Sequence, residues 1–146
     1  MRYFEDIEAG DETTFGEWTV SKDEIVEFAR QWDPQPIHVD ETAASQSIHG
    51  GLIASGLHTI GIAMRLWVDA FLADVANLGA RYIKRVQFDE PVRPDDTLVV
   101  TGTVLDTTVP EHTDRHGYLD YELAAHVDGD EVMSMVSDLV VQRRDE

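Results

Sequence analysis

Residues 52–75 of the chain read LIASGLHTIGIAMRLWVDAFLADV, and this apolar stretch decides the predicted fold. Its apolar side chains recur at steps of three and four residues, a spacing typical of an amphipathic helix. The recurring positions are Ile53, Leu57, Ile60, Met64, Trp67, Phe71 and Val75. The stretch predicts a helix of about 24 residues and roughly 36 Å, with His58 off its apolar stripe. A helix of this length needs a broad apolar surface to pack against.

The flanking segments provide such a surface. Their β-branched and aromatic residues predict five strands, at Thr13–Val20, Tyr82–Phe88, Thr97–Val109, Gly117–Val127 and Glu131–Gln142. Apolar and polar residues alternate along Gly117–Val127, as in an antiparallel sheet covered on one side. Asp128-Gly129-Asp130 predicts a tight hairpin between the last two strands. One long helix packed on an antiparallel sheet is an α+β fold.

Two shorter helices precede the long one. Ser21 begins a capping-box pattern and predicts a helix that ends near Trp32, before the prolines of the next segment. Asp40 can cap a second short helix at Glu41–Gln46. Residues 33–38 lie between them, read Asp-Pro-Gln-Pro-Ile-His, and are predicted to form a stiff loop.

The composition predicts one acidic folded domain over residues 1–146. Of these residues, 29 are Asp or Glu and 11 are Lys or Arg, so the formal net charge is −18. This charge disfavours nucleic acid and anionic membranes as partners, because both are bound through Lys and Arg. The hydrophobic content of 42% argues against disorder.

The acidic residues are spread along the chain, and the only lysines are Lys22 and Lys84. Dispersed acidity is a feature of halophilic proteins, since salt at about 1 M screens the repulsion between the charges. We therefore hypothesise a salt-rich cytoplasm, with an ordinary acidic protein as the alternative. Thermal melting across a salt series is expected to show a melting temperature that rises with salt. Full stability in dilute buffer would contradict the hypothesis.

The absence of cysteine excludes disulfides and a thiolate nucleophile. The N-terminal residues turn acidic at once and do not resemble a signal peptide. Arg65, Asp69 and Asp74 interrupt the apolar stretch, which argues against a membrane span. We therefore expect a cytoplasmic protein that uses no metal ion and no cofactor.

Asp33 and His38 are the first candidates for chemistry. Two prolines between them restrict the loop, so the two side chains can be held in fixed positions at low entropic cost. An imidazole titrates near neutrality, and a carboxylate can orient it or share a water with it. The residues alone also fit a turn-starting Asp and a surface His.

A glycine-rich segment follows at residues 49–58, with Gly50, Gly51 and Gly56. Glycine allows close approach of the backbone to a ligand. Free N–H groups at the start of the long helix could polarise a carbonyl oxygen. The alternative is a plain loop at Gly50-Gly51 and a packing contact at Gly56.

These motifs resemble the MaoC-like dehydratases, the (R)-specific enoyl-CoA hydratase group. The matching residues are 33–40, Asp-Pro-Gln-Pro-Ile-His-Val-Asp, and 50–56, Gly-Gly-Leu-Ile-Ala-Ser-Gly. A second family motif matches Phe88–Leu98, where relatives usually have Gly at the position of Asp95. The resemblance implies a hot-dog fold, in which a curved antiparallel sheet wraps a long central helix, and a homodimer.

The resemblance also implies a hydro-lyase of fatty acid metabolism. Asp33 and His38 would activate the water that adds to trans-2-enoyl-CoA, or that leaves 3-hydroxyacyl-CoA. The Gly56 N–H would bind the thioester oxygen. We favour His38 as the base, with Asp33 orienting the water.

The substrate brings the phosphates of coenzyme A to an acidic protein. The candidate partners for them are Arg81, Lys84, Arg85 and Arg93. Strand alternation predicts that Arg81 and Arg85 share one face while Lys84 lies on the other. Gly51 and Ser55 are further candidates for substrate binding, and Ser55 stands where many relatives have His. We expect Ser55, Ile48 and His49 at the mouth of the pocket.

Two other functions remain open. Hot-dog thioesterases usually carry a catalytic carboxylate on the long helix, where Asp69 and Asp74 are the candidates, although Asp69 can also pair with Arg65. A non-catalytic acyl-thioester binding module is the second alternative, but it would not need the Asp33–His38 pair.

Overall fold

The computed structural model describes residues 1–145 as an antiparallel sheet with one long helix packed on it. The strands are β1 (Glu12–Thr19), β2 (Asn77–Phe88), β3 (Thr97–Thr108), β4 (His116–Val127) and β5 (Asp130–Gln142). Their spatial order is β1-β3-β4-β5-β2, and every neighbouring pair is antiparallel. The five predicted strands and the α+β class are confirmed. Only β2 differs appreciably from its predicted bounds, since it begins at Asn77 instead of Tyr82.

Four helices lie between the strands and precede β2. They are α1 (Lys22–Trp32), α2 (Pro36–Val39), α3 (Glu41–Ser45) and α4 (Gly56–Ala70). Ser21 caps α1 through its hydroxyl, and the Asp40 carboxylate accepts from two backbone N–H groups at the start of α3. Both predicted caps are confirmed. The predicted loop at 33–38 is wrong in part, because α2 continues one helical turn from Pro36, a residue suited to the first position of a helix.

The predicted long helix is shorter than expected. It begins at Gly56 and spans 15 residues, about 22 Å. Residues 52–55 are not helical, and two of their backbone N–H groups donate to neighbouring segments instead. Ile53 N–H donates to the Ile37 carbonyl at 3.2 Å, and Ala54 N–H donates to the Val92 carbonyl at 2.8 Å. At the other end, Phe71 leaves the helical conformation and a 3₁₀ turn follows at Leu72–Asp74.

The buried face of α4 also differs from the predicted stripe. Leu57 is 56% exposed and Met64 36% exposed, whereas His58 is 8% exposed. Trp67 and Ala63 are buried against the sheet. The prediction for His58 is wrong because apolar side chains occur on two sides of this helix. Periodicity identifies both sides, and only the sheet determines which one is covered.

The core is centred on the Tyr121 ring of β4. Trp67 stacks on it with a centroid separation of 4.9 Å, and Phe71 lies 5.3 Å from it. Burial raises the pKa of the Tyr121 hydroxyl. Gly102 of β3 leaves room for these rings, since a Cβ there would overlap Tyr121 and lie 2.5 Å from Phe15. Alternate residues of β3 and β4 face this core, as predicted for a sheet covered on one side.

Two turns have positive φ at non-glycine residues. In the predicted β4–β5 hairpin, which is confirmed, Asp128 has φ 51° and Gly129 has φ 86°. Asp95 has φ 71° in the connection before β3. Left-handed backbone favours glycine, so the positive φ of Asp95 explains why relatives usually have Gly at this position of the second motif.

The strand β2 forms one edge of the sheet, and all of its residues are exposed. Among residues 1–145, no helix is long and apolar enough to cross a membrane.

Candidate active site

The predicted pair Asp33 and His38 is brought together at the junction of α1 and α2. Asp33 is the C-cap residue of α1, and its non-helical backbone ends that helix before α2 begins. His38 lies inside α2, whose first residue is Pro36. The Nε2 atom of His38 lies 3.3 Å from Oδ2 of Asp33. The prolines therefore hold the two groups within reach of one small molecule.

The surroundings of His38 determine its neutral tautomer. The side chain is buried, and its Nδ1 lies 2.7 Å from the carbonyl oxygen of Ile53. A carbonyl only accepts hydrogen bonds, so Nδ1 carries the proton and donates. In the neutral ring, Nε2 then has a free lone pair facing Asp33. This arrangement leaves His38 able to take a proton at Nε2.

The surroundings of Asp33 favour its ionised form. Gln35 Nε2 donates to Oδ1 at 2.7 Å, and the Ser55 hydroxyl donates to Oδ2 at 2.7 Å. These hydrogen bonds, first from Gln35 and then from Ser55, lower the pKa of the Asp33 carboxyl, while partial burial opposes them. An acid with a lowered pKa is a weak base, so Asp33 suits hydrogen-bond acceptance and His38 suits proton abstraction.

Ser55 was expected at the pocket mouth, and that prediction is wrong. The residue is fully buried between α1 and α4, and its hydroxyl is committed to Asp33. Of its predicted neighbours at the mouth, His49 lines the cleft, whereas Ile48 points into solvent with 98% of its surface exposed.

Gly56 is the first residue of α4. Among residues 1–145 its N–H has no hydrogen-bond acceptor, and it lies at the positive end of the helix dipole. A Cβ at this position would lie 2.5 Å from Phe88 Cζ. Glycine is therefore required by the ring of Phe88, which approaches the start of the helix from the end of β2.

These groups line a cleft of about 360 Å³. Its walls are formed by residues in three segments, 33–38, 49–59 and 88–92, together with Val132 of β5. Both sequence motifs therefore meet at one site, as the tertiary structure places the second motif opposite the first. Sequence reasoning missed Gln35 and Phe88 as site residues. The position of Gln35 between two prolines is the signal that could have identified it.

The four bases predicted to bind coenzyme A lie in two different places. Arg93 lies beside the cleft lining, where its Nη2 donates to the carbonyl of the lining residue His49 at 2.7 Å and its guanidinium is near Gly51. The bases of β2 lie outside the cleft lining and are held by carboxylates of β4 and β5. The ion pairs are Arg81–Asp138 at 2.8 Å, Lys84–Asp120 at 2.7 Å and Arg85–Glu122 at 3.3 Å.

The predicted alternation of these bases is wrong. Asp120 and Asp138 face each other across β4 and β5, and Glu122 lies two residues beyond Asp120 on the same strand. All three bases therefore reach one face of the sheet. Register shifts between Ala80 and Tyr82 and between Ile83 and Arg85 interrupt the alternation of β2.

The carboxylates of the thioesterase alternative are distant from this chemistry. Asp69 is exposed and pairs with Arg65 at 2.8 Å, as its spacing predicts. Asp74 is exposed in the turn after α4, and neither residue lines the cleft.

The role of Ser55 can be tested by Ser55→Ala. Loss of its hydrogen bond is expected to raise the pKa of Asp33, measured by NMR titration of the carboxyl carbon. Because the pKa of Asp33 is lower in the folded than in the unfolded protein, its ionisation stabilises the fold above about pH 4. This contribution disappears as the pH falls through the pKa of the folded state. The stability difference between wild type and variant should therefore shrink in acid. Ser45→Ala removes an exposed hydroxyl and is the control; an unchanged Asp33 pKa in Ser55→Ala would contradict the assignment.

Comparison with known proteins identifies the family of the chain. The family model described as "MaoC like domain" matches residues 7–124. Among curated proteins, YdeM of Bacillus subtilis is 43% identical over 88 residues, which are 60% of this chain and 62% of that protein. Protein MaoC of Klebsiella aerogenes is 37% identical over 74% of this chain and 32% of its own length. The matched region thus spans less than two thirds of either relative.

A third relative is the (R)-specific enoyl-CoA hydratase of Rhodospirillum rubrum, 33% identical over 71% of this chain and 70% of that protein. Among solved structures, the MaoC-like dehydratase of Rhodospirillum rubrum is 34% identical, has a TM-score of 0.92 and covers 100% of both chains. The predicted hot-dog fold is thereby confirmed. With the family model matching most of its length, the chain belongs to the MaoC-like dehydratase family.

Proposed function

We propose that this protein is a hydro-lyase that adds water to trans-2-enoyl-CoA or removes it from 3-hydroxyacyl-CoA. The observation that carries the proposal is the position of His38 Nε2, 3.3 Å from Oδ2 of Asp33, in a ring whose Nδ1 is bound to the Ile53 carbonyl. Both atoms are hydrogen-bond acceptors in this state, and the proposed reaction uses one water molecule that donates to each of them. The hydratase named among the relatives supports the same reaction class.

In the hydration direction, His38 Nε2 takes a proton from the water while Asp33 accepts the other O–H and orients it. The water oxygen bonds to the β-carbon, and the π electrons move toward the thioester to give an enolate. The imidazolium that forms is stabilised by Asp33 on one side and by the Ile53 carbonyl on the other. Protonation of the α-carbon then consumes the proton, and neutral His38 is restored.

Charge on the enolate oxygen requires a donor. The Gly56 N–H is suited to this role because its position at the helix start leaves it without an acceptor among the described residues. A preorganised backbone donor stabilises a developing oxyanion more than it stabilises a neutral carbonyl. This assignment makes the beginning of α4 part of the catalytic site.

The activity is tested with crotonyl-CoA and the purified full chain in high salt. Loss of enoyl absorbance without release of free thiol is expected. Asp33→Asn or His38→Ala should each lower kcat by roughly 10²- to 10⁴-fold, the usual contribution of acid–base groups. His112→Ala, a substitution at an exposed histidine outside the cleft, is the control.

Other outcomes of this assay separate the alternatives. Thiol release would identify a thioesterase. Absence of reaction with every enoyl-CoA tested would indicate the binding module. Near-normal activity in both variants would contradict the roles of Asp33 and His38.

We also propose that Arg93 contacts a phosphate of coenzyme A at the cleft mouth. No Lys or Arg lines the cleft itself within residues 1–145. The bases with carboxylate partners within 4.0 Å are Lys22, Arg65, Arg81, Lys84, Arg85, Arg143 and Arg144. In the described residues the Arg93 guanidinium has no such partner and bonds only the His49 carbonyl, so it keeps donors for an anion.

Arg93→Ala is expected to raise KM for crotonyl-CoA several-fold with little change in kcat, because the contact is distant from the reacting bond. Arg30→Ala, on the exposed side of α1, is the control. Arg85→Glu tests the β2 bases in parallel, and a raised KM there would support their assignment. An unchanged KM in Arg93→Ala would contradict the role of Arg93.

A homodimer is proposed on two exposed surfaces. The 12-residue edge strand β2 presents unpaired backbone groups, an arrangement that invites pairing with a second strand. Leu57, Met64 and Val68 form an exposed apolar stripe on α4. A second copy that pairs through β2 would extend the sheet and cover apolar surface. Sedimentation equilibrium measures the mass, and a monomer at assay concentrations would contradict the proposal.

A salt-rich cytoplasm also stays a prediction, supported by the acidity of the chain.

A further inference from the structure

The reacting groups of the proposed site are divided between two helices. Asp33 ends α1, whereas Ser55 and Gly56 begin α4. The distance between the water-orienting Asp33 carboxylate and the oxyanion donor therefore depends on how α1 is seated on α4. A contact that fixes this seating acts on catalysis without touching the substrate.

Within residues 1–145, one aromatic contact joins these helices. The Phe28 ring of α1 lies parallel to the His58 ring of α4, with an interplanar angle of 8° and a centroid separation of 4.6 Å. Phe28 precedes Asp33 by five residues, and His58 follows Ser55 by three. The stack is thus about 7 Å from Asp33 along α1 and about 5 Å from Ser55 along α4.

His58 is an unusual residue for this place. It is 8% exposed, and its Nδ1 is a buried atom with no hydrogen-bond partner among the described residues. Burial lowers the pKa of the imidazole, and the nearby Glu24 carboxylate only partly opposes this effect. The ring therefore packs as a neutral aromatic group. A buried polar atom without a partner lowers the stability of the fold. The favourable contact that accounts for the buried position of the His58 ring is its stack on Phe28.

We propose that the Phe28–His58 stack is a positioning contact that sets Asp33 and the Gly56 N–H at their productive separation. His58 acts through Phe28 and through the start of α4, and it lies outside the cleft lining. Gly56 and His58 are two residues apart and thus about 200° apart around the helix, so His58 has no direct path to the substrate. The inference rests on the proposed hydro-lyase function.

Other contacts also hold α1 in the fold. The positioning role of the Phe28–His58 stack can therefore be tested separately from the stability of the protein. Ile25 and Ala29 of α1 are fully buried in the core. A pocket of about 250 Å³ lies beside His58, between Trp18 of β1 and Gly61 and Arg65 of α4. This space allows a phenyl ring to replace the imidazole. The charged groups around His58 are Glu24, which accepts from the Trp18 indole, and Arg65, which pairs with Asp69.

The test compares His58→Ala with His58→Phe in the full chain. Loss of the stack in His58→Ala is expected to lower kcat for crotonyl-CoA hydration by roughly 10- to 100-fold, since small misplacements of reacting groups cost this much. KM should change little. His58→Phe restores the stack and should return kcat to within about three-fold of wild type.

Leu119→Ala, at a buried position of β4, is the control for lost stability. At a temperature where this variant is folded, its kcat should stay near wild type. Equal kcat losses in His58→Ala and Leu119→Ala at matched stability would overturn the proposal, as would failure of phenylalanine to rescue. If His58→Ala does not fold, Phe28→Leu removes the stacked ring, keeps apolar bulk and should show the same fall in kcat.

A second measurement does not need the reaction. Because the stack seats α1 near Ser55, His58→Ala is expected to raise the pKa of Asp33 by loosening the hydrogen bond from Ser55, while His58→Phe keeps it at the wild-type value. Carboxyl NMR titration measures both. Failure of wild type to hydrate any enoyl-CoA would refute the proposed function alone. An Asp33 pKa that is unchanged in His58→Ala would refute the positioning contact alone.

Discussion

The hydrogen bond between the buried Ser55 hydroxyl and the Asp33 carboxylate joins the two halves of the site. Asp33 stands where α1 ends, and Ser55 stands where α4 begins, 22 residues later. Because Ser55 has no exposed surface, this bond forms only when the non-helical segment before α4 brings Ser55 to the end of α1. The length of α4, the path of residues 52–55 and the orientation of Asp33 are therefore consequences of one arrangement.

The same arrangement gives Asp33 and His38 different hydrogen-bond partners. Asp33 receives hydrogen bonds from Gln35 and Ser55, whereas His38 gives one to the Ile53 carbonyl. Donors around the carboxylate favour its charged form, and an acceptor at Nδ1 leaves Nε2 free to take a proton. In the proposed mechanism, these hydrogen bonds are what make one group the base and the other the orienting group.

The basic residues of the chain fall into two groups according to their partners. The bases of β2 are balanced by Asp138, Asp120 and Glu122 on one face of the sheet. These pairs remove cations from the set available to an anionic ligand, and the Arg81–Asp138 pair does so most firmly because Asp138 is buried and accepts two hydrogen bonds. Arg93 differs because its guanidinium bonds a backbone carbonyl at the cleft instead of a carboxylate. The acidic chain therefore keeps a cation at the place where a coenzyme phosphate would arrive.

The sequence by itself determined the strands, the helix caps, the hairpin at Asp128-Gly129 and the candidate pair Asp33 and His38. These features depend on local chemistry: alternation along a strand, a side-chain oxygen at a helix start, and prolines that limit the backbone. The position of Asp33 beside His38 was predictable because only five residues separate them. The family motifs added Gly56, whose neighbour in space, Phe88, is 32 residues away.

Only the tertiary structure decided which face of α4 is buried, where Ser55 points and which bases are free. Periodicity could not place His58 in the interior, because both sides of the helix carry apolar residues and the sheet covers one of them. Ser55 became a partner of Asp33 because the non-helical segment 52–55 is held by backbone hydrogen bonds to distant carbonyls. These outcomes depend on contacts between residues far apart in the chain, and such contacts leave no periodic signal in the sequence.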